Sequence, residues 1–172
     1  MLNNRGQNID LVNKSVEDNK KFERIFKTYI KERFDIDIIK NTNVFKPYDF
    51  SLNKIHKIEY KGIYYSLDEK ENKAINNKNI NIIIDNVLIS QSKIAYYKIR
   101  QMRNPDLKFY LVYGFYNTNN INEVYKIIYR FINISDLDNI IMNFKQKTHE
   151  KAKHYLIPIK DLKKLDESTF SK

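Results

Sequence analysis

Hydrophobic and polar positions change their period along this chain, and the changes mark its elements. Phe22, Ile25, Phe26, Tyr29 and Ile30 recur at i, i+3, i+4, i+7 and i+8, the spacing that lines one face of an α-helix. Ser15 is placed to cap the start of that helix, with Glu17 and Asp18 in its first turn, and Phe34 carries the stripe to its end. Residues 1–14 ahead of it are polar, Asn-rich and without period, and are expected to form a flexible tail. Asp35–Ile39 alternates briefly, as a short strand or as the helix end. From Val44 to Tyr65 aromatic and β-branched residues predict two strands joined by a polar turn at Asn53 and Lys54. Residues 66–81 are charged and low in complexity, which predicts a mobile surface loop carrying the acidic cluster Asp68, Glu69 and Glu71.

The second half continues in the same way. Ile82–Ile84 and Val87–Ile89 are apolar triplets around a turn-prone Asp85-Asn86. Ser90 is a candidate N-cap for a helix running to about Arg103, with Ile94 and Tyr97 on its apolar face and Asn104-Pro105-Asp106 stopping it. Leu107–Tyr116 is nearly all apolar, as a strand buried on both faces should be. Thr118–Asn120 reads as a turn and Val124–Ile134 as another strand. Ser135 and Asp136 predict the start of a helix to about Lys147. Tyr155–Pro158 reads as an edge strand, since its proline cannot extend a ladder. Asp161–Leu165 is expected to form a last helical turn before a polar tail, 166–172. The expectation is one α+β domain over residues 15–165.

Composition narrows the function classes. The chain has 172 residues, 42% hydrophobic and 30% charged, enough for a single buried core. It has no cysteine, which excludes disulfides, thiol catalysis and cysteine-ligated zinc and fits an intracellular setting. No apolar run approaches the ~20 residues of a membrane span, and the N-terminus lacks the apolar region of a secretory signal. The three histidines, His56, His149 and His154, are dispersed and show no zinc-hydrolase spacing; His56 reads as structural. Only three glycines are present and no phosphate-binding glycine loop occurs, so a nucleotide cofactor is not expected. The 13 Tyr and 10 Phe mostly fall at core positions, so core packing explains them better than base stacking does. The net charge of +10 suits a partner made of phosphates. Part of that charge is also what an AT-rich coding sequence produces, as in a virus or mobile element.

The chemistry concentrates in the 44–65 hairpin. Glu59 and Lys61 are two apart and share one strand face, with Ile58 and Tyr60 on the other. A three-residue loop over 53–55 sets Asp49 directly opposite Glu59, and such cross-strand neighbours have Cβ atoms roughly 4.5–5.5 Å apart. Two carboxylates at that distance repel unless a cation lies between them, and Mg2+ or Mn2+ takes oxygen ligands of this kind. Lys61 beside them is placed to hold a water or to stabilise charge on a phosphate.

Pro47-Tyr48-Asp49 followed by Glu59-Tyr60-Lys61 resembles the PD-(D/E)XK motif of the restriction-endonuclease-like nuclease superfamily. It departs from the pattern at Tyr48, which separates the proline from the aspartate. The resemblance spans about residues 15–135 and implies an αβββαβ core, a mixed central sheet flanked by helices. Asp35–Ile39 or the segment from Ile82 to Ile89 would supply the third strand. It also implies a Mg2+-dependent DNA endonuclease with Asp49, Glu59 and Lys61 as catalytic residues. Glu23, on the first helix, is implied as a further metal ligand; a solvated helix carboxylate is the competing reading. Gln91 and Lys93, in the first turn of the second helix, are implied as DNA contacts, against an ordinary basic helix face. A homodimer is left open, since many nucleases that cut both strands act as pairs. The alternative from a different class is a non-catalytic nucleic-acid-binding or protein-interaction module.

Overall fold

Residues 9–43, 45–65, 86–117, 127–138 and 154–170 are described by the computed structural model. The first apolar stripe forms helix α1, Ile9–Phe34. It starts ahead of Ser15, because a nucleated helix gains further residues at little cost. Ser15 therefore lies inside the helix, and the expected flexible tail 1–14 is helical from Ile9 onward. The helix ends where Asp35 turns left-handed, at φ 52°, a conformation that Asp tolerates better than most residues. Phe22, Phe26 and Ile30 are its buried stripe.

Two short strands follow, β1 (Ile39–Lys40) and β2 (Phe50–Ser51), and then a long one, β3 (His56–Tyr65). The expected hairpin register is present: Phe50 pairs with Ile58 and Ser51 with Lys57. Asn53 shapes the turn, its Oδ1 accepting from the backbone N–H of Ile55 (2.9 Å) and His56 (2.7 Å). The first arm is not a strand over its whole length, since among its described residues only Phe50 and Ser51 join the ladder. Pro47 has no N–H to give, and the preceding loop is tied to Asn41 instead. The Asn41 Nδ2 donates to the carbonyls of Lys46 (3.2 Å) and Tyr48 (2.8 Å), and Asn41 N–H donates to the Asp49 carbonyl (2.7 Å).

Strand β4 (Asn86–Ser90) includes Asn86, where a turn was expected. It runs straight into helix α2 (Gln91–Arg103), with Ser90 at the N-cap position. The Ser90 hydroxyl pairs with the Ser92 hydroxyl (2.6 Å) rather than capping a backbone N–H. Beyond Pro105 lie β5 (Lys108–Asn117) and β6 (Ile127–Asn133). The start of the expected 135–147 helix is a 3-10 turn, Ile134–Asp136, capped by Asn133; its part beyond residue 138 lies outside the described residues. So do the 66–81 loop, Ile82–Asp85, the Thr118 turn and His149.

Strand β7 (His154–Pro158) pairs antiparallel with β4 as a separate two-stranded sheet. The expected last helical turn is instead a 3-10 turn at Ile159–Asp161 and a short strand, β8 (Lys163–Lys164). The polar tail expected at 166–172 also differs. Phe170 is buried, its ring 5.4 Å from that of Tyr110. Leu165 and Thr169 are buried beside it, and Asp166 N–H donates to the Thr169 hydroxyl (3.0 Å).

The main sheet is mixed, in the order β1-β2-β3-β5-β6-β8. Strands β3 and β5 are parallel from His56–Lys108 to Tyr65–Asn117, and every other pair in that sheet is antiparallel. A parallel pair needs a long crossover, and α2 lies in it. The sheet is buried on both sides, so β5 is apolar throughout. Ile58, Tyr60, Tyr110, Val112 and Tyr116 pack with α1. Leu111, Tyr113 and Phe115 pack with Ile94 and Tyr97 of α2 and with Val87, Ile89 and Ile157 of the small sheet. The architecture is thus α+β, with a mixed central sheet between helices, in the order helix, strands, helix, strands.

Candidate active site

Strand β2 is so short that the β2 side of β3 loses its ladder partner just after Ile58. Asp49 closes the fork. Its N–H donates to the Ile58 carbonyl (2.9 Å), and its Oδ2 accepts from the Tyr60 N–H (2.8 Å). A side chain thus stands where a strand would have continued, and it fixes the carboxylate beside Glu59. Alternation then places Glu59 and Lys61 on the α2 side of β3. A cleft of about 380 Å³ opens here, lined by Glu23, Asp49, Glu59, Lys61 and Lys93 among others.

Each carboxylate of the cleft has a cationic or hydrogen-bonding partner. Lys40 Nζ lies 2.7 Å from Glu23 Oε1 and 3.6 Å from Asp49 Oδ1. Lys93 pairs with Glu59 Oε1, and the Tyr97 hydroxyl lies between Glu59 Oε2 (3.1 Å) and the Pro47 carbonyl. Burial, with the Asp49 charge second, pushes the Glu59 carboxyl up to about 7 against the opposing pull of Lys93 and Tyr97. The same setting raises the Tyr97 hydroxyl, by burial and then by the Glu59 charge, and the Tyr113 hydroxyl for the same two reasons. Lys61 has much of its side chain open to solvent, yet burial of the ammonium and then the Lys93 charge lower its pKa, with Glu59 opposing.

Asp49, Glu59, Lys61, Glu23 and Lys93 therefore meet in one cleft. Gln91 is not among the residues lining it. Glu23 reaches Asp49 only through Lys40, and among the described residues no group of three or more His, Cys, Asp or Glu side chains is gathered closely enough to hold a metal. Asp49 and Glu59 remain a close oxygen pair. Both present carboxylate oxygens to the same cleft, the ligand type that a hard divalent cation takes. The donor set fits Mg2+ or Mn2+.

Three participants escaped the sequence reading. Lys40 lies on β1, and nothing local distinguishes it from the chain's other lysines. Tyr97 counts as a core residue by helical period, and it is fully buried, but its hydroxyl reaches the site. Its one local signal is its place one turn after Lys93. His154, on β7, lines the cleft because β7 pairs with β4, with His154 opposite Ser90.

Lys98 and Lys163 make ion pairs at the surface, with Asp138 and Asp136. Among the described residues no helix is long and apolar enough to cross a membrane.

No family model matches this chain, and no curated protein matches it. Among solved structures, a nuclease from a fusselovirus is similar at 17% identity and a TM-score of 0.44, over 94% of this chain and 90% of that one. A likeness this distant transfers no residue role.

Proposed function

We propose that the chain is a divalent-metal-dependent DNA endonuclease with a PD-(D/E)XK-type site. One observation carries the reading: Asp49 closes the β2–β3 fork so that its carboxylate, Glu59 and Lys61 face a single cleft. Asp49 and Glu59 would hold Mg2+ or Mn2+, which when bound supplies Lewis-acid stabilisation of charge on the phosphate. The remaining chemistry falls to the chain's own groups. Lys61 would donate a hydrogen bond that positions the attacking water and stabilises charge developing on the phosphate, the water's proton passing to solvent. One phosphodiester P–O bond breaks, and solvent protonates the leaving oxygen. Lys93, on exchanging its Glu59 partner, would contact a non-bridging phosphate oxygen. The basic surface, with a net charge of +10, holds the rest of the backbone.

A non-catalytic nucleic-acid-binding module has its own supporting observation, that Lys40 and Lys93 already neutralise the carboxylates. Cleavage of supercoiled plasmid with Mg2+ or Mn2+ separates the two. The nuclease reading expects metal-dependent nicking that Glu59→Ala and Lys61→Ala both abolish. Equal nicking by all three proteins would refute the site. Retained DNA binding without any nicking would favour the module.

A further inference from the structure

Lys40 is held in place by more than a surface ion pair. Strand pairing sets Lys40 opposite Phe50, and its ammonium lies 5.0 Å from the centroid of that ring. Phe50 is itself packed against Phe26 and Tyr60, so the aromatic face beneath the cation is fixed. From that seat the ammonium reaches two carboxylates on different elements, Glu23 of α1 at 2.7 Å and Asp49 of the fork at 3.6 Å. Lys93 is placed differently: its ion pair is with a single carboxylate, Glu59.

Two carboxylates converging on one gap require a positive charge there. A hard divalent ion bridging them would be the usual solution, and here a compact lysine charge fills the gap. We infer that Lys40 stands in for a second divalent cation. Its ammonium neutralises Glu23 and Asp49 together, so the cleft loads one divalent ion, at Asp49 and Glu59, rather than a pair. Lys40 is thus a positioning residue that sets metal stoichiometry, and Glu23 serves the site as its anchor rather than as a ligand. The inference rests on the metal-dependent reading above.

The test counts bound Mn2+ without DNA, by the electron paramagnetic resonance signal of the free ion. Wild type and Lys40→Arg, which keeps the charge, are expected to bind one ion. Lys40→Gln, and Lys40→Met with its apolar stem retained over Phe50, should bind two. Adding Glu23→Gln to either neutral variant should return the count to one. Two ions on wild type, or one on both neutral variants, would overturn the role of Lys40 and leave the metal-dependent reading standing. No Mn2+ on wild type would sink both. Thermal melts confirm that each variant counted is folded.

Discussion

Replacing Glu59 by Gln keeps the side chain's shape and removes its charge, and it should make the protein more stable. In the unfolded chain this carboxyl titrates near 4.5, whereas in the fold burial and Asp49 push it up to about 7. The folded state therefore holds its proton more tightly than the unfolded state. Below the unfolded value both states are protonated and the difference has no effect. As pH rises from 4.5 to about 7 the unfolded chain loses its proton first, so stability falls across that window and stays reduced above it. At roughly 1.4 kcal/mol per tenfold change in proton affinity, the rise amounts to about 3 kcal/mol at pH 8. Glu59→Gln avoids that cost. The substitution also leaves Lys93 unpaired, but that lysine is 40% exposed and the loss is small by comparison. Urea titrations in EDTA at a series of pH values measure the effect. With a denaturant slope of about 1–3 kcal/mol per molar, the midpoint at pH 8 should rise by roughly 1–3 M, with almost no change near pH 4.5. A variant less stable than wild type at pH 8, or equally stabilised at both ends, would refute the reasoning.

Other substitutions separate site from scaffold. Lys61→Ala should lower the cleavage rate by about 10²–10⁴-fold with little change in DNA affinity, read from single-turnover kinetics beside a binding titration. An equal loss of affinity would make Lys61 a binding residue. Lys93→Gln removes an attraction that lowers the Glu59 pKa, so that pKa should move further above 7, seen by carboxyl NMR; a fall would contradict the pairing. Gly62→Ala sets a Cβ 2.3 Å from Phe22 Cδ2, and the overpacking should cost about 1–3 kcal/mol in urea denaturation. Asn41→Ala removes the donor to the Lys46 and Tyr48 carbonyls, at about 0.5–1.5 kcal/mol, since water can reach at least the first of them. It should also slow cleavage by loosening Asp49, and full activity in a destabilised variant would detach the loop from the site.

What the sequence determined by itself is local. The period of Phe22, Phe26 and Ile30 specifies a helix and its buried face, because neighbours three and four apart share a side whatever lies opposite. The 53–55 turn specifies the hairpin register, since Asn53 caps it and Phe50 then meets Ile58. With that register, Asp49 beside Glu59 and Lys61 was readable from the residues alone. The apolar run at Leu107–Tyr116 announced a strand buried on both faces. The tertiary structure decided what sits next to what across long separations. The parallel pairing of β3 with β5 has no short-range signal. Nor has Lys40 between Glu23 and Asp49, which the packing of α1 against the first strands brings together, or Tyr97, whose ring belongs to the core while its hydroxyl belongs to the site. Glu59 is ordinary as a letter in the sequence and becomes a carboxyl near 7 only when strands and helix take its water away. Local period is set by backbone geometry, which each residue carries with it. Proximity between distant elements, and the loss of water that shifts a charge, exist only once the chain has closed on itself.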